Sequence, residues 1–152
     1  MKPIKRERGQ SLVEFAISLL ILLYLLSGAV EFGILFFQFV QLRDAAQEGA
    51  LYGSMNPPTN ASDTTKINAI VTRAKHSSPT KSPIDLINDT NVQITVTVTD
   101  NKYCEGGSLE VKVTYPHKII MPFIPQLIGR SSNPYIPLNA VVTDTILSPV
   151  CP

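Results

Sequence analysis

The chain has 152 residues, a formal net charge of +1 and 44% hydrophobic residues, which allows one domain of ordinary size plus an apolar anchor. A charge balance this close to neutral offers no basic surface to nucleic acid, and no glycine-rich phosphate loop or zinc-type Cys/His spacing is present. The two histidines and two cysteines form no acid–base or nucleophile motif. We therefore expect a protein that is not an enzyme, with no cofactor, no metal, no catalytic residue and no small-molecule substrate.

The N-terminal part combines a basic leader, residues 1–9, with a long apolar segment. The basic residues of the leader are Lys2, Lys5, Arg6 and Arg8. Apolar residues dominate residues 12–40, and about 20 of them suffice to cross the roughly 30 Å hydrocarbon core of a bilayer. The positive-inside rule keeps the leader in the cytoplasm. We expect one membrane crossing over residues 12–33, with the N-terminus inside and the C-terminal part outside.

A secretory signal peptide is the main alternative for this segment. Its apolar core should have about 7–15 residues and be followed by an Ala-x-Ala-like cleavage site. The apolar segment here is longer, no such site follows it promptly, and Glu14 is misplaced for a signal core. The signal peptide is therefore disfavoured, whereas an uncleaved signal anchor stays open.

The helical pattern continues outside the membrane, so we predict one helix over residues 10–53 with an extracytoplasmic extension over residues 34–53. Its stripe recurs at spacings of three and four residues and becomes smaller outward: Leu35, Phe39, Leu42, Ala46, Gly49 and Gly53. Gln41 is among the polar residues that fall off this stripe. Small residues at the outer end would let another element approach the helix backbone closely. Asn56-Pro57-Pro58 then ends the helix.

Residues 54–152 predict a small extracytoplasmic α+β domain with an antiparallel sheet of three or four strands. Ser62 or Asp63 can cap a short extra helix over residues 64–75. Apolar and polar residues alternate in the predicted strands, which cover residues 92–99, 109–115 and 137–146. Pro116 is expected to end the second strand. The long helix and the short helix should cover the apolar face of the sheet.

Cys104 and Cys151 both lie in the part predicted to be exported. An even number of cysteines in an oxidising compartment favours one disulfide, which would tie the loop over residues 100–108 to the C-terminal tail. Two unpaired thiols, or a nucleophilic cysteine, are the alternatives.

The segment over residues 118–129 is rich in apolar residues but is interrupted by prolines, which argues against a regular strand. One interpretation is a connection folded onto the edge of the core. The other is an exposed apolar patch for a partner or the membrane surface, with Phe123, Ile124 and Leu127 as its members. His117, next to this segment, is expected to end a strand rather than to do chemistry.

Three short stretches carry a resemblance to a known family. They are Gly9-x-x-x-Val13-Glu14-Phe15-Ala16, Gly28-x-x-Glu31-Phe32-Gly33 and Ala45-Ala46-Gln47-Glu48-Gly49-Ala50. A basic leader that ends in glycine, with glutamate as the fifth residue after it, is similar to type IV prepilins. More narrowly, the chain resembles the TadE-like minor pilins (pseudopilins) of the tight-adherence (Tad/Flp) pilus system. It departs from them in lacking a proline inside the membrane helix.

The resemblance implies a structural subunit that assists assembly of a Tad-type pilus or a related secretion filament. A membrane prepilin peptidase would cleave between Gly9 and Gln10, and Glu14 and Phe15 would act in assembly. The implied partners are the membrane, other pilins and the assembly machinery, and the implied locations are the inner membrane and an extracellular pilus. An uncleaved single-pass anchor carrying a binding or adhesive module of the cell envelope is the alternative.

Overall fold

The structure, a computed structural model, describes residues 7–78, 83–121, 124–130 and 132–151. Its helices are α1 (Glu7–Met55), α2 (Thr64–Lys75) and α3 (Ile124–Leu127), and its strands are β1 (Gln93–Thr99), β2 (Ser108–Lys118) and β3 (Tyr135–Thr145). The three strands of this described part form one antiparallel sheet in the order β1-β2-β3. The predicted α+β class, with a long N-terminal helix and a small antiparallel sheet, is confirmed.

Helix α1 has 49 residues and is about 73 Å long at roughly 1.5 Å per residue. No proline interrupts it, and it ends one residue before Asn56-Pro57-Pro58, as the sequence predicts. Its side chains are exposed from Gly9 to Leu26, and Glu31 is the first buried residue along it. The helix is therefore bare over its first half and covered on one side over its second half.

The core lies between the second half of α1 and the sheet. Strand β2 is central, and its alternate residues Leu109, Val111 and Val113 are fully buried. Helix α2, whose N-cap is Asp63 with its carboxylate accepting from the backbone N–H of Lys66, contributes Ile70 to the same core. The alternate buried residues of β2 and the small residues of α1 thus pack together in one apolar layer.

Two glycines of α1 permit this close approach. A Cβ on Gly53 would lie 2.9 Å from Cδ2 of Leu109 and 3.1 Å from Cδ1 of Ile70. A Cβ on Gly49 would lie 3.0 Å from Cβ of Ala74. All three distances are shorter than ordinary van der Waals contact, so the helix backbone packs directly on its neighbours.

Strand β2 runs in the direction opposite to α1. Leu109, near its start, lies against Gly53 at the outer end of the helix, whereas His117, near its end, contacts Gln38 and Glu31. The connection from β2 to β3 therefore lies at the end of the domain nearest the bare half of α1.

Two local predictions are wrong. Pro116 does not end the second strand, since β2 continues to Lys118 with Pro116 opposite Pro137. The β1–β2 pairing stops at Gln93 opposite Thr114, so Pro116 lies beyond the last β1 partner and its missing N–H removes no bond to that strand.

The buried side of α1 also differs from the predicted stripe. Phe39 is exposed, whereas Gln38 and Gln41 are buried. The buried amide of Gln41 has hydrogen-bond partners for both its atoms. Its Nε2 donates to the carbonyl of Ile84 at 2.8 Å, and its Oε1 accepts from the N–H of Ile84 at 3.0 Å. The covered face of α1 therefore carries the hydrogen-bonded residues Gln38 and Gln41 and not the predicted Phe39.

Candidate functional site

The residues predicted for processing and assembly lie on the first turns of α1. Gln10, Glu14 and Phe15 are all exposed, and a Cβ on Gly9 would meet no atom within 4 Å. Gln10 and Glu14 are one helical turn apart and therefore project from the same face. Within the part of the chain that the structure describes, Glu14 has no hydrogen bond or ion pair. An unpaired carboxylate at the start of an apolar helix requires a cation from elsewhere when it enters lipid.

A second polar cluster, formed by Glu31, Gln38 and His117, is buried between α1 and the end of β2. Nε2 of His117 lies 2.7 Å from Oε1 of Glu31, and Nδ1 of His117 lies 2.6 Å from Oε1 of Gln38. Both ring nitrogens of His117 thus face side-chain oxygen atoms. The sequence distance between Glu31 and His117 is 86 residues.

The carboxylate of Glu31 also holds the backbone that follows β2. Its Oε2 accepts from the N–H of Met121 at 2.9 Å, and its Oε1 accepts from the N–H of Ile120 at 3.2 Å. One carboxylate therefore satisfies a histidine and two backbone donors, which is how a charged group can remain buried. The cluster fastens the β2–β3 connection to α1 where the bare half of the helix ends.

Sequence reasoning missed this cluster, although two signals pointed toward it. Glu31 interrupts an apolar segment, and His117 precedes an apolar one. Each needs a partner if it is buried, but nothing local indicates that the two residues pair with each other. His117 lies one residue before the end of β2, close to the strand end that the sequence predicts, and its side chain also bridges that strand to α1.

At the far end of the domain, Cys104 and Cys151 form a disulfide with a Cα–Cα distance of 5.1 Å. Backbone bonds run alongside it, from the N–H of Glu105 to the carbonyl of Pro149 at 2.8 Å and from the N–H of Gly106 to the carbonyl of Ile146 at 2.9 Å. The disulfide joins the β1–β2 loop to the C-terminal tail, which the sequence favoured over free thiols.

The predicted partner patch is only partly described. Phe123 lies outside the described residues, Ile124 is half-buried and Leu127 is exposed. Just before them, Ile119 is buried and Ile120 is exposed. The connection from β2 to β3 thus has one side folded onto the core and another side presented outward, and its role as a partner surface stays a prediction.

A cavity of about 300 Å³ lies between α2 and β1, with Ile67, Val96 and Tyr103 among its lining residues. Within the described ranges, no group of three His, Cys, Asp or Glu residues could hold a metal ion.

Helix α1 is long and apolar enough to cross a membrane, and it alone passes that test within the residues described. Only 6% of the most apolar part of this helix is buried, whereas the core helix of a globular domain is mostly buried. The apolar residues of that part thus face outward, as contact with lipid requires.

Comparison with known proteins gives one match. The model of the family described as TadE-like protein matches residues 9–51, which include Gly9, Glu14, Glu31 and Gln38. No curated protein and no solved structure matches the chain. The TadE-like family is a structural, pilus-associated family. The resemblance predicted from the sequence is confirmed over residues 9–51, which are similar to TadE-like proteins.

Proposed function

We propose that this chain is a minor pilin, or pseudopilin, that assists assembly of a Tad-type pilus or a related secretion filament. The observation that carries the proposal is the TadE-like match over residues 9–51, which covers the bare half of α1 and both glutamates on its apolar segment. Its partners are other pilins and the assembly machinery in the same membrane.

The bare half of α1 fits one membrane crossing. Because Glu31 is the first buried residue of α1, we shift the proposed crossing from residues 12–33, expected from the sequence, to residues 9–30. These residues span about 33 Å at roughly 1.5 Å per residue, close to the hydrocarbon core of about 30 Å. With the basic leader in the cytoplasm, the domain over residues 54–152 lies outside the inner membrane. A prepilin peptidase then cleaves between Gly9 and Gln10, and the subunit enters an extracellular pilus.

Glu14 sets the position of the subunit among its neighbours. Cleavage would create an α-amine at Gln10, and this cation can meet the Glu14 carboxylate of an adjacent subunit within an apolar helix bundle. Because Glu14 has no partner among the described residues of its own chain, its charge is available for that contact. The pairing would fix the axial stagger between subunits.

Replacing Glu14 tests this function. We expect Glu14→Leu to be expressed, inserted and cleaved but not incorporated into the filament, measured as co-purification with the other pilins from the same membranes. Asp44→Leu is the matched control, since Asp44 is an exposed carboxylate on α1 beyond the apolar segment, and should assemble normally. Assembly of Glu14→Leu at the level of the unchanged protein would contradict the charge pairing and favour an uncleaved anchor with a binding module.

A further inference from the structure

We propose that the β2–β3 connection, whose described residues are 119–121, 124–130 and 132–134, inserts exposed apolar side chains into the outer leaflet of the membrane that α1 crosses. It would act as a second, interfacial anchor of the domain. The inference rests on the proposed membrane crossing of α1 and is separate from the pilin role.

The first argument is the axial position of the connection. The N–H groups of Ile120 and Met121 donate to the carboxylate of Glu31, so these residues lie at the level of Glu31 on α1. Residues 9–30, directly before Glu31, are the proposed crossing. The connection therefore lies where the hydrocarbon core ends and the headgroup layer begins.

The second argument is direction. Because β2 runs opposite to α1, the whole domain extends away from the bare half of the helix, and its disulfide lies at the far end near Ser54 and Leu147. The β2–β3 connection is thus the membrane-proximal edge of the domain. An exposed side chain on this edge meets lipid unless a protein covers it.

The third argument is the chemistry of that edge. Ile120 is 64% exposed, Leu127 is 75% exposed and Ile128 is 48% exposed, although all three are large aliphatic residues. Exposed apolar side chains grouped on one edge indicate an interaction surface rather than scattered surface residues. Ile120 lies at the level of Glu31, where the exposed apolar surface of the first half of α1 ends, and this continuity favours the lipid of that membrane over a protein partner.

The fourth argument is charge. The sequence has no Asp or Glu from Lys118 to Thr143, whereas Lys118 and Arg130 are exposed cations on this edge. Nη1 of Arg130 donates to the carbonyl of Tyr135 at 2.8 Å, which holds a cation beside an exposed tyrosine. Aliphatic side chains flanked by Lys, Arg and Tyr are typical of segments that lie in the interface and contact phospholipid headgroups.

Tryptophan fluorescence tests the inference directly, because the chain contains no tryptophan. Full-length Leu127→Trp protein would be reconstituted into phosphatidylcholine–phosphatidylglycerol vesicles with or without brominated acyl chains, which quench tryptophan on contact. Leu147→Trp is the matched control, since Leu147 is 61% exposed at the far end of the domain. Leu22→Trp, within the crossing, is the positive reference.

We expect Leu127→Trp and Leu22→Trp to lose most of their fluorescence in brominated vesicles and Leu147→Trp to keep its fluorescence. An unquenched Leu127→Trp protein beside a quenched Leu22→Trp protein would overturn the interfacial anchor and leave the crossing intact. A blue-shifted but unquenched Leu127→Trp spectrum would overturn it in favour of a second copy of the chain covering the edge. Loss of quenching in Leu22→Trp would overturn the crossing and the anchor together, whereas normal assembly of Glu14→Leu would affect only the pilin role.

Discussion

Glu31 and His117 form a buried pair, and removing either side chain should lower the free energy of unfolding. The carboxylate accepts hydrogen bonds from the histidine and from two backbone N–H groups, so its burial depends on all of them. Removing one partner of a buried hydrogen bond leaves the other group unsatisfied, which is more costly than replacing both partners. The pair thus holds the end of β2 against α1.

We expect His117→Ala to destabilise the domain by about 1–3 kcal/mol, because the carboxylate of Glu31 would remain buried without one of its hydrogen-bond partners. The measurement is denaturant unfolding of the full chain in detergent, for His117→Ala, Glu31→Gln and the double variant. The double variant should lose less stability than the sum of the single changes. A loss from His117→Ala as small as that of an exposed substitution would contradict the buried pair.

Gly9 is the residue on which the proposed processing depends. We expect Gly9→Leu to leave a full-length chain, because a branched side chain would obstruct the peptide bond that the peptidase must reach. Mass spectrometry of the membrane-extracted protein measures this. Gly28→Leu is the control, since a Cβ there also meets no atom within 4 Å, and it should be cleaved normally. Normal processing of Gly9→Leu would count against the prepilin interpretation.

The close packing of helix α1 on strand β2 depends on the glycines of α1 at the contact, Gly49 and Gly53. We expect Gly53→Ala to destabilise the domain by about 1–3 kcal/mol, because the new Cβ would lie 2.9 Å from Leu109 and overpack the core. Gly33→Ala is the matched change on the same helix, where a Cβ meets no atom within 4 Å, and should be neutral or slightly stabilising. Thermal unfolding of both variants checks this, and equal midpoints would refute the close contact.

Across the whole molecule, the disulfide constrains the end of the domain farthest from the proposed membrane. Cys104 and Cys151 are 47 residues apart, and closing a loop of that length stabilises by about 4 kcal/mol in the chain-entropy model. We expect the paired change Cys104→Ser and Cys151→Ser to lower the free energy of unfolding by about that amount. Non-reducing peptide mapping of the unchanged protein should recover the linked peptides, and free thiols at both positions would remove the prediction.

The sequence by itself determined the features that depend on local periodicity. The apolar segment and its missing prolines predict α1, alternation predicts the strands, and the spacing of Gly9 and Glu14 identifies the TadE-like segment. These patterns are readable because helix and strand repeats recur within a few residues.

Only the tertiary structure decided which side of α1 is covered and which residues meet across the chain. The pairing of Glu31 with His117 and the burial of Gln41 against Ile84 depend on strand register and helix rotation, which join residues 86 and 43 positions apart. The continuation of β2 through Pro116 depends on where β1 ends. Such contacts carry no local signal, because each residue is compatible with exposure until its partner is placed beside it.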